Sequence, residues 1–156
     1  MNMGYKINCI NKSCQKESKA INIDDLVKNC KDSFGKLKCR ICGNSGAYIF
    51  RESKLQEKNE KWKRYIKGII TIETEDEDYT PYVFLTSQVM GGEIDGIHFG
   101  YYKDLRKKGG KLKHGHGPGG SPVFSKDEIF QLLGKLIHLG VVSKQDFIDF
   151  IEKVKE

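Results

Sequence analysis

The chemistry in this chain is concentrated in its cysteines. Four residues lie between Cys9 and Cys14, two between Cys39 and Cys42 and 24 between the pairs, and Gly43 follows directly. Thiolates suit a borderline-soft, redox-inert ion, and zinc takes four of them in a tetrahedron at about 2.3 Å. Two short-spaced pairs supply that geometry, because each wraps the ion in a tight turn and the segment between them returns the chain to close the site. A catalytic zinc keeps one position open, whereas four thiolates fill them all, so the pattern predicts a structural ion. Cys30 is either a rival to Cys14 as ligand or a small buried residue. A redox role for Cys39 and Cys42 would need a βαβ context that the rest of the chain lacks. No apolar leader follows Met1, and no apolar run is long enough to span a membrane. The expected location is therefore cytoplasmic, where reduced clustered cysteines serve as metal ligands rather than disulfides.

Over residues 5–50 the pattern C-x4-C, then C-x2-C-G, resembles the zinc-ribbon fold group, with Cys39, Cys42 and Gly43 matching its second knuckle. The four-residue spacing of Cys9 and Cys14 is longer than the commonest first knuckle. The resemblance implies one structural Zn2+ per chain, held by Cys9, Cys14, Cys39 and Cys42. It also implies a place among nucleic-acid enzymes and adaptors, either touching nucleic acid or docking on protein, an analogy of fold that does not decide function.

The net charge of +6 is segregated along the chain. Residues 1–67 and 101–126 are basic, whereas residues 68–100 carry seven acids and no Lys or Arg. Two basic segments are interleaved with rings that could stack on bases while the cations meet phosphates. One is Lys61, Trp62, Lys63, Arg64 and Tyr65; the other is Tyr101, Tyr102 and Lys103, followed by Arg106, Lys107 and Lys108. With Lys111 and Lys113, these form the candidate nucleic-acid surface. The acidic run Glu73 to Asp78 is either a solvated turn or a surface for a basic partner. His98, His114 and His116 could together hold a second metal in a hydrolase. Against this, His114 and His116 lie in a segment, 109–120, that has six glycines in twelve positions and offers poor support for catalysis.

The elements that must position these residues are predicted as follows. Residues 1–50 form the ribbon, with strands at Tyr5–Cys9, Lys36–Cys39 and Ala47–Phe50 and a helical turn near Ile21–Val27 capped by Asn22 or Asp24. Residues 51–64 read as a charged connector, a helix or a polar extension; in a helix, Glu57 with Lys61 and Glu60 with Arg64 would be i,i+4 pairs. Residues 65–156 form an α+β domain. Its three-stranded antiparallel sheet runs through 65–74, 82–90 and 94–102, followed by the mobile glycine-rich loop 109–120. An αα-hairpin over 125–155 completes it. There Ser125 and Glu128 form a capping box, Gly140 stops the first helix and Ser143 opens the second. This hairpin resembles short C-terminal oligomerisation hairpins, which implies self-association. The predicted protein is a non-catalytic zinc-ribbon binder contacting nucleic acid. The alternatives are a protein-interaction module or inhibitor acting on a nucleic-acid enzyme, and the histidine-centred hydrolase.

Overall fold

A computed structural model describes residues 4–54, 61–115 and 122–154. Their order is β1 (Tyr5–Asn8), β2 (Glu17–Ala20), α1 (Ile23–Asn29), β3 (Ile49–Lys54), β4 (Lys61–Thr71), β5 (Tyr79–Ser87), β6 (Gly96–Asp104), a 3-10 turn (Arg106–Lys108), β7 (Leu112–Gly115), α2 (Lys126–His138) and α3 (Lys144–Val154). The chain is mixed α+β with two antiparallel sheets, β1-β2 and the meander β3-β4-β5-β6-β7. It divides into two units, residues up to 122 and residues from 123 onward. No helix among the described residues is long and apolar enough to cross a membrane.

The larger sheet has five strands where the sequence predicted three, and the additions lie at both ends. The expected connector is replaced by β3 and β4, whose register pairs Ile49 with Ile66, Arg51 with Arg64 and Lys54 with Lys61. Its expected i,i+4 partners Glu57 and Glu60 lie outside the described residues. Charge hides the strand period here because arginines occupy inward positions. The Arg51 guanidinium lies 5.7 Å from the Tyr5 ring centre and 5.8 Å from that of Phe84, a favourable cation–π arrangement. Arg64, directly opposite, is held by Asp95. At the other end, residues 112–115 of the expected mobile loop pair with β6, Gly115 opposite Tyr101 and Lys113 opposite Lys103. Glycine is needed at 115 for close approach, since a Cβ there would lie 1.8 Å from Tyr101 Cζ. Residues 116–120 of that loop, including His116, lie outside the described residues.

One core joins the cysteine region to the inner face of the sheet. Ile7, Leu26, Cys30 and Leu37 from the first fifty residues pack with Ile66, Ile69, Tyr82, Phe84 and Tyr102. Tyr82 and Phe84 have ring centres 4.9 Å apart. Burial raises the Tyr82 phenol far above its usual range. On the outer face, Ile70, Ile72, Val83 and Leu85 are also buried. Between Ile66 and Gly68 the β4–β5 register shifts by a bulge. Gly68 there must be bare, because a Cβ would sit 2.9 Å from the Gly35 carbonyl oxygen and 3.1 Å from Leu85 Cδ1. The backbone of β4 thereby docks the loop before Leu37, with Ile69 N–H donating to Gly35 at 2.8 Å and Leu37 N–H to Lys67 at 2.9 Å.

An ionic hub links α1 to the far end of the sheet. Asp24, nearly buried at the start of α1, accepts Lys28 at 2.6 Å and Arg106 at 2.5 Å, and the Tyr102 hydroxyl at 3.3 Å. Arg106 also grips both oxygens of Asp104 at 2.7 Å, and those hydrogen bonds hold the Asp104 carboxyl down at about 2.

In the C-terminal unit the capping box is present. Ser125 N–H donates to Glu128 at 2.7 Å, and Glu128 N–H donates to the Ser125 hydroxyl at 3.3 Å. Gly140, at φ +68°, ends α2, with its N–H on Ile137 and that of Val141 on Leu136, each at 3.0 Å. Ser143 and Asp146 cap α3 reciprocally at 2.9 and 3.1 Å. Leu132 and Leu136 are buried, whereas Ile148, Phe150 and Val154 of α3 are exposed.

Replacing Arg106 with Ala should cost about 1–3 kcal/mol in urea unfolding at pH 7, because Asp24 would keep only its lysine and hydroxyl partners. The sign of the pH dependence follows from Asp104. Its folded-state pKa lies below the unfolded value, so its contribution is complete above about 4 and fades as pH falls toward about 2. The difference between wild type and Arg106→Ala should narrow over that interval.

Candidate metal centre

The two cysteine pairs are brought together by backbone pairing before any side chain acts. Asn8, at the end of β1, exchanges hydrogen bonds with Tyr48 at 2.8 and 3.0 Å, so the strand entering the first knuckle lies beside the chain leaving the second. The longer first knuckle is closed locally by Asn11. Its carbonyl accepts the Cys14 and Gln15 N–H groups, both at 2.9 Å, and its side chain accepts the Ser13 amide at 3.0 Å and hydroxyl at 2.6 Å. This Asx turn uses the two extra residues and points Cys14 back at Cys9. In the second knuckle, Ile41 N–H points at Cys39 Sγ at 3.4 Å. Gly43, at φ +69°, turns its N–H onto the Cys39 carbonyl at 2.8 Å. A side chain would be strained there.

The four sulfurs form a compact group. Cys9 Sγ is 3.6 Å from Cys42 Sγ, and Cys14 Sγ is 3.9 Å from Cys39 Sγ. All four lie within 4.8 Å of one another. A tetrahedron of metal–sulfur bonds about 2.3 Å long has edges of about 3.8 Å, so the donor set fits a four-coordinate ion. None of the five cysteines is joined in a disulfide. Burial pushes the Cys9 thiol up to about 12, against the Asn11 amide. At Cys39 burial acts upward too, yet the knuckle amides of Cys42 and Ile41 bring the thiol down to about 7. Arg40 pins this knuckle to α1, donating to Asp25 and to the Lys19 carbonyl at 2.9 Å. Position separates Cys14, which lies in the sulfur group, from Cys30. Cys30 is fully buried among Leu26, Leu37 and their neighbours, burial raises its thiol, and it stands outside the sulfur group.

The other candidate sites fare differently. Among the described residues the four cysteines are the only cluster of three or more His, Cys, Asp or Glu able to share an ion. His98 lies opposite Phe84 and His114 opposite Tyr102, which separates the two histidines by four residues along β6, about 13 Å. The structure therefore does not bring them together. Of the basic residues, Arg64, Arg106 and Lys108 are engaged by Asp95, by Asp24 and Asp104, and by Asp78. Lys63, Lys107, Lys111 and Lys113 are exposed. Lys61 and Trp62 lie in β4, with side chains outside the description.

Sequence reasoning missed a row of rings on the outer face at the β3–β4 edge. Tyr48 meets Tyr65 edge-on at 5.7 Å, and Phe50 meets Tyr65 at 5.3 Å. The alternation in Ala47-Tyr48-Ile49-Phe50, buried at 47 and 49 and open at 48 and 50, was the available signal.

Comparison with known proteins returns no match: no family model fits the chain, and neither a curated protein nor a solved structure is similar to it. The fold and site define its class as a mixed α+β chain with an N-terminal four-cysteine group at metal-binding distances, compatible with a zinc-ribbon-like segment.

Cys14→Ser should lower the metal content of protein purified without chelator, whereas Cys30→Ser should retain it and lose about 1–3 kcal/mol of stability through a buried hydroxyl. Elemental analysis beside urea unfolding separates the two effects.

Proposed function

We propose that the chain is a non-catalytic binding protein in which Cys9, Cys14, Cys39 and Cys42 hold one structural zinc ion and the exposed edges of the outer face of the five-stranded sheet contact nucleic acid. The zinc reading rests on the donor chemistry: four thiolates are a soft set, and they close a tetrahedron without leaving a position for substrate. Bound there, zinc supplies cross-linking and no reaction step.

One observation carries the nucleic-acid reading, the pairing of contacting rings with lysines outside any described ion pair at the edges of one face. At the β3–β4 edge stand Phe50 and Tyr65 with Lys63, and at the β6–β7 edge stand Tyr79 and Tyr101, 5.1 Å apart, with Lys103 and Lys113. Lys103 also lies 5.6 Å from the Tyr79 ring centre. Among the described residues no ion pair engages Lys63, Lys103 or Lys113. The two clusters lie toward opposite ends of the strands, since Tyr65 pairs with Ser87 and Tyr101 with Pro81, six residues or about 20 Å apart along β5, so they would meet separate stretches of one nucleic-acid strand. Cations for phosphates beside rings for bases are what sequence-tolerant binding uses. The same comparison removes Arg64, Arg106 and Lys108 from the surface, since each neutralises an acid of the fold itself.

Affinity for nucleic acid should fall steeply as salt rises, because counterion release supplies most of such binding. Lys63→Gln with Lys113→Gln should weaken binding to all sequences and reduce the salt slope by about two. Lys108→Gln, which leaves Asp78 without its cation, should act on stability instead. Absence of salt-sensitive binding would transfer the proposal to a protein partner, for which the exposed acidic turn Glu73–Glu77 is the candidate surface.

A further inference from the structure

We infer that the cavity between the first cysteine knuckle and the β4 bulge seats one unstacked base of a single strand, with Lys36 and Lys67 on the adjoining phosphates; this rests on the nucleic-acid reading and narrows it. The cavity measures about 250 Å³ and lies wholly within the first unit. Its walls combine the Tyr48 and Tyr65 rings with the aliphatic side chains of Leu85 and Ile94, and its lysines are Lys36 and Lys67. Drug-sized ligands occupy pockets of about 300–1,000 Å³, so this space fits a single ring system better than an extended molecule. A base offers a π-face to the rings, and its backbone places an anion next to the lysines. In a duplex that face is covered by its neighbours and cannot enter a concave site.

Both cations are placed by the backbone. The bulge that shifts the register between Ile66 and Gly68 includes Lys67, whose ammonium donates to the Gly92 carbonyl. That one bond fixes it at the cavity and leaves two N–H donors for an anion. Lys36 is bridged to Gly68, and its loop is tied by Asp32, which accepts the Phe34 and Lys36 amides at 2.9 Å. Among the described residues no carboxylate pairs with either lysine. Phe50, 43% exposed and 5.3 Å from Tyr65, extends the ring row and gives the next base a second platform.

The test uses the full chain loaded with zinc and labelled oligothymidylate of about twelve nucleotides, free or paired with its complement, in fluorescence anisotropy. The single strand should bind about tenfold or more tighter than the duplex, and Tyr65→Leu should remove about tenfold of single-strand affinity while leaving duplex affinity unchanged. Lys36→Gln, at an exposed position that the fold does not need, should lower the salt slope for the single strand by about one and serves if Tyr65→Leu fails to fold. Equal affinity for single strand and duplex, or variants that weaken both alike, would overturn the base site while the broader nucleic-acid reading stands. Displacement by inorganic phosphate as readily as by thymidine monophosphate would make it an anion site and overturn it too. No binding of either form by the native chain would remove both readings together.

Discussion

The backbone bridge between Asn8 and Tyr48 is the contact on which the rest of the first unit depends. It places Cys9 beside the chain that has just left Cys42, and the 24 residues between the cysteine pairs are thereby folded back onto the sheet. That returning segment supplies Ile23, Leu26, Val27, Cys30 and Leu37 to the core, over Ile69, Tyr82 and Phe84. Neither partner could bury enough surface alone: about fifty residues with few large apolar side chains cannot offset their chain entropy, and the inner sheet face would lie bare. When the four sulfurs share an ion, the cross-link acts on the unfolded chain as a disulfide closing a loop of that size would, an effect of about 3–4 kcal/mol. Metal and core therefore support one another.

The sequence made this centre legible because coordination chemistry constrains residue type and spacing more tightly than packing does. The caps of α2 and α3 and the stop at Gly140 were legible for a similar reason, each being a local hydrogen-bonding pattern with a fixed offset. The extent of the sheet was not. Arg51 and Arg64 face inward, one over aromatic rings and one on Asp95, so residues 51–54 and 61–64, where β3 and β4 run beyond the strands predicted at 47–50 and 65–74, lack the apolar alternation by which strands are recognised. β2 escaped notice because only Ala20 of its four residues is buried. At β7 the error lay in the meaning of glycine: Gly115 is there because Tyr101 covers it, and composition cannot distinguish that from freedom.

Charge segregation along the chain was equally open to misreading. The acidic stretch and the basic stretch after it look like two interaction surfaces, but the meander folds them together. β5 begins opposite the end of β6, which sets the acidic turn ending at Asp78 beside the basic turn holding Lys108. Arg64 and Asp95 meet in the same way across the other end. Part of the segregation is thus consumed in pairing neighbouring strands, and a cation left over after that pairing says more about partners than one counted from sequence.

The location of the proposed base site ties binding to the metal centre. Ile10, one residue past Cys9, and Gly46 and Tyr48, just beyond Cys42, line the same cavity as Tyr65 and Lys67 of the sheet. The knuckles supply one wall and the bulged strand the other, and the backbone bridge between Asn8 and Tyr48 holds the first of them in place. A closed four-thiolate site is chemically inert, yet in this position it need not be only a staple. With an ion shared by the four sulfurs, the cross-link would stiffen the wall that carries Tyr48 and lower the ordering cost of the proposed binding. Four thiolates leave no position for substrate, so an ion held there could act on binding only by stiffening the wall of that proposed site.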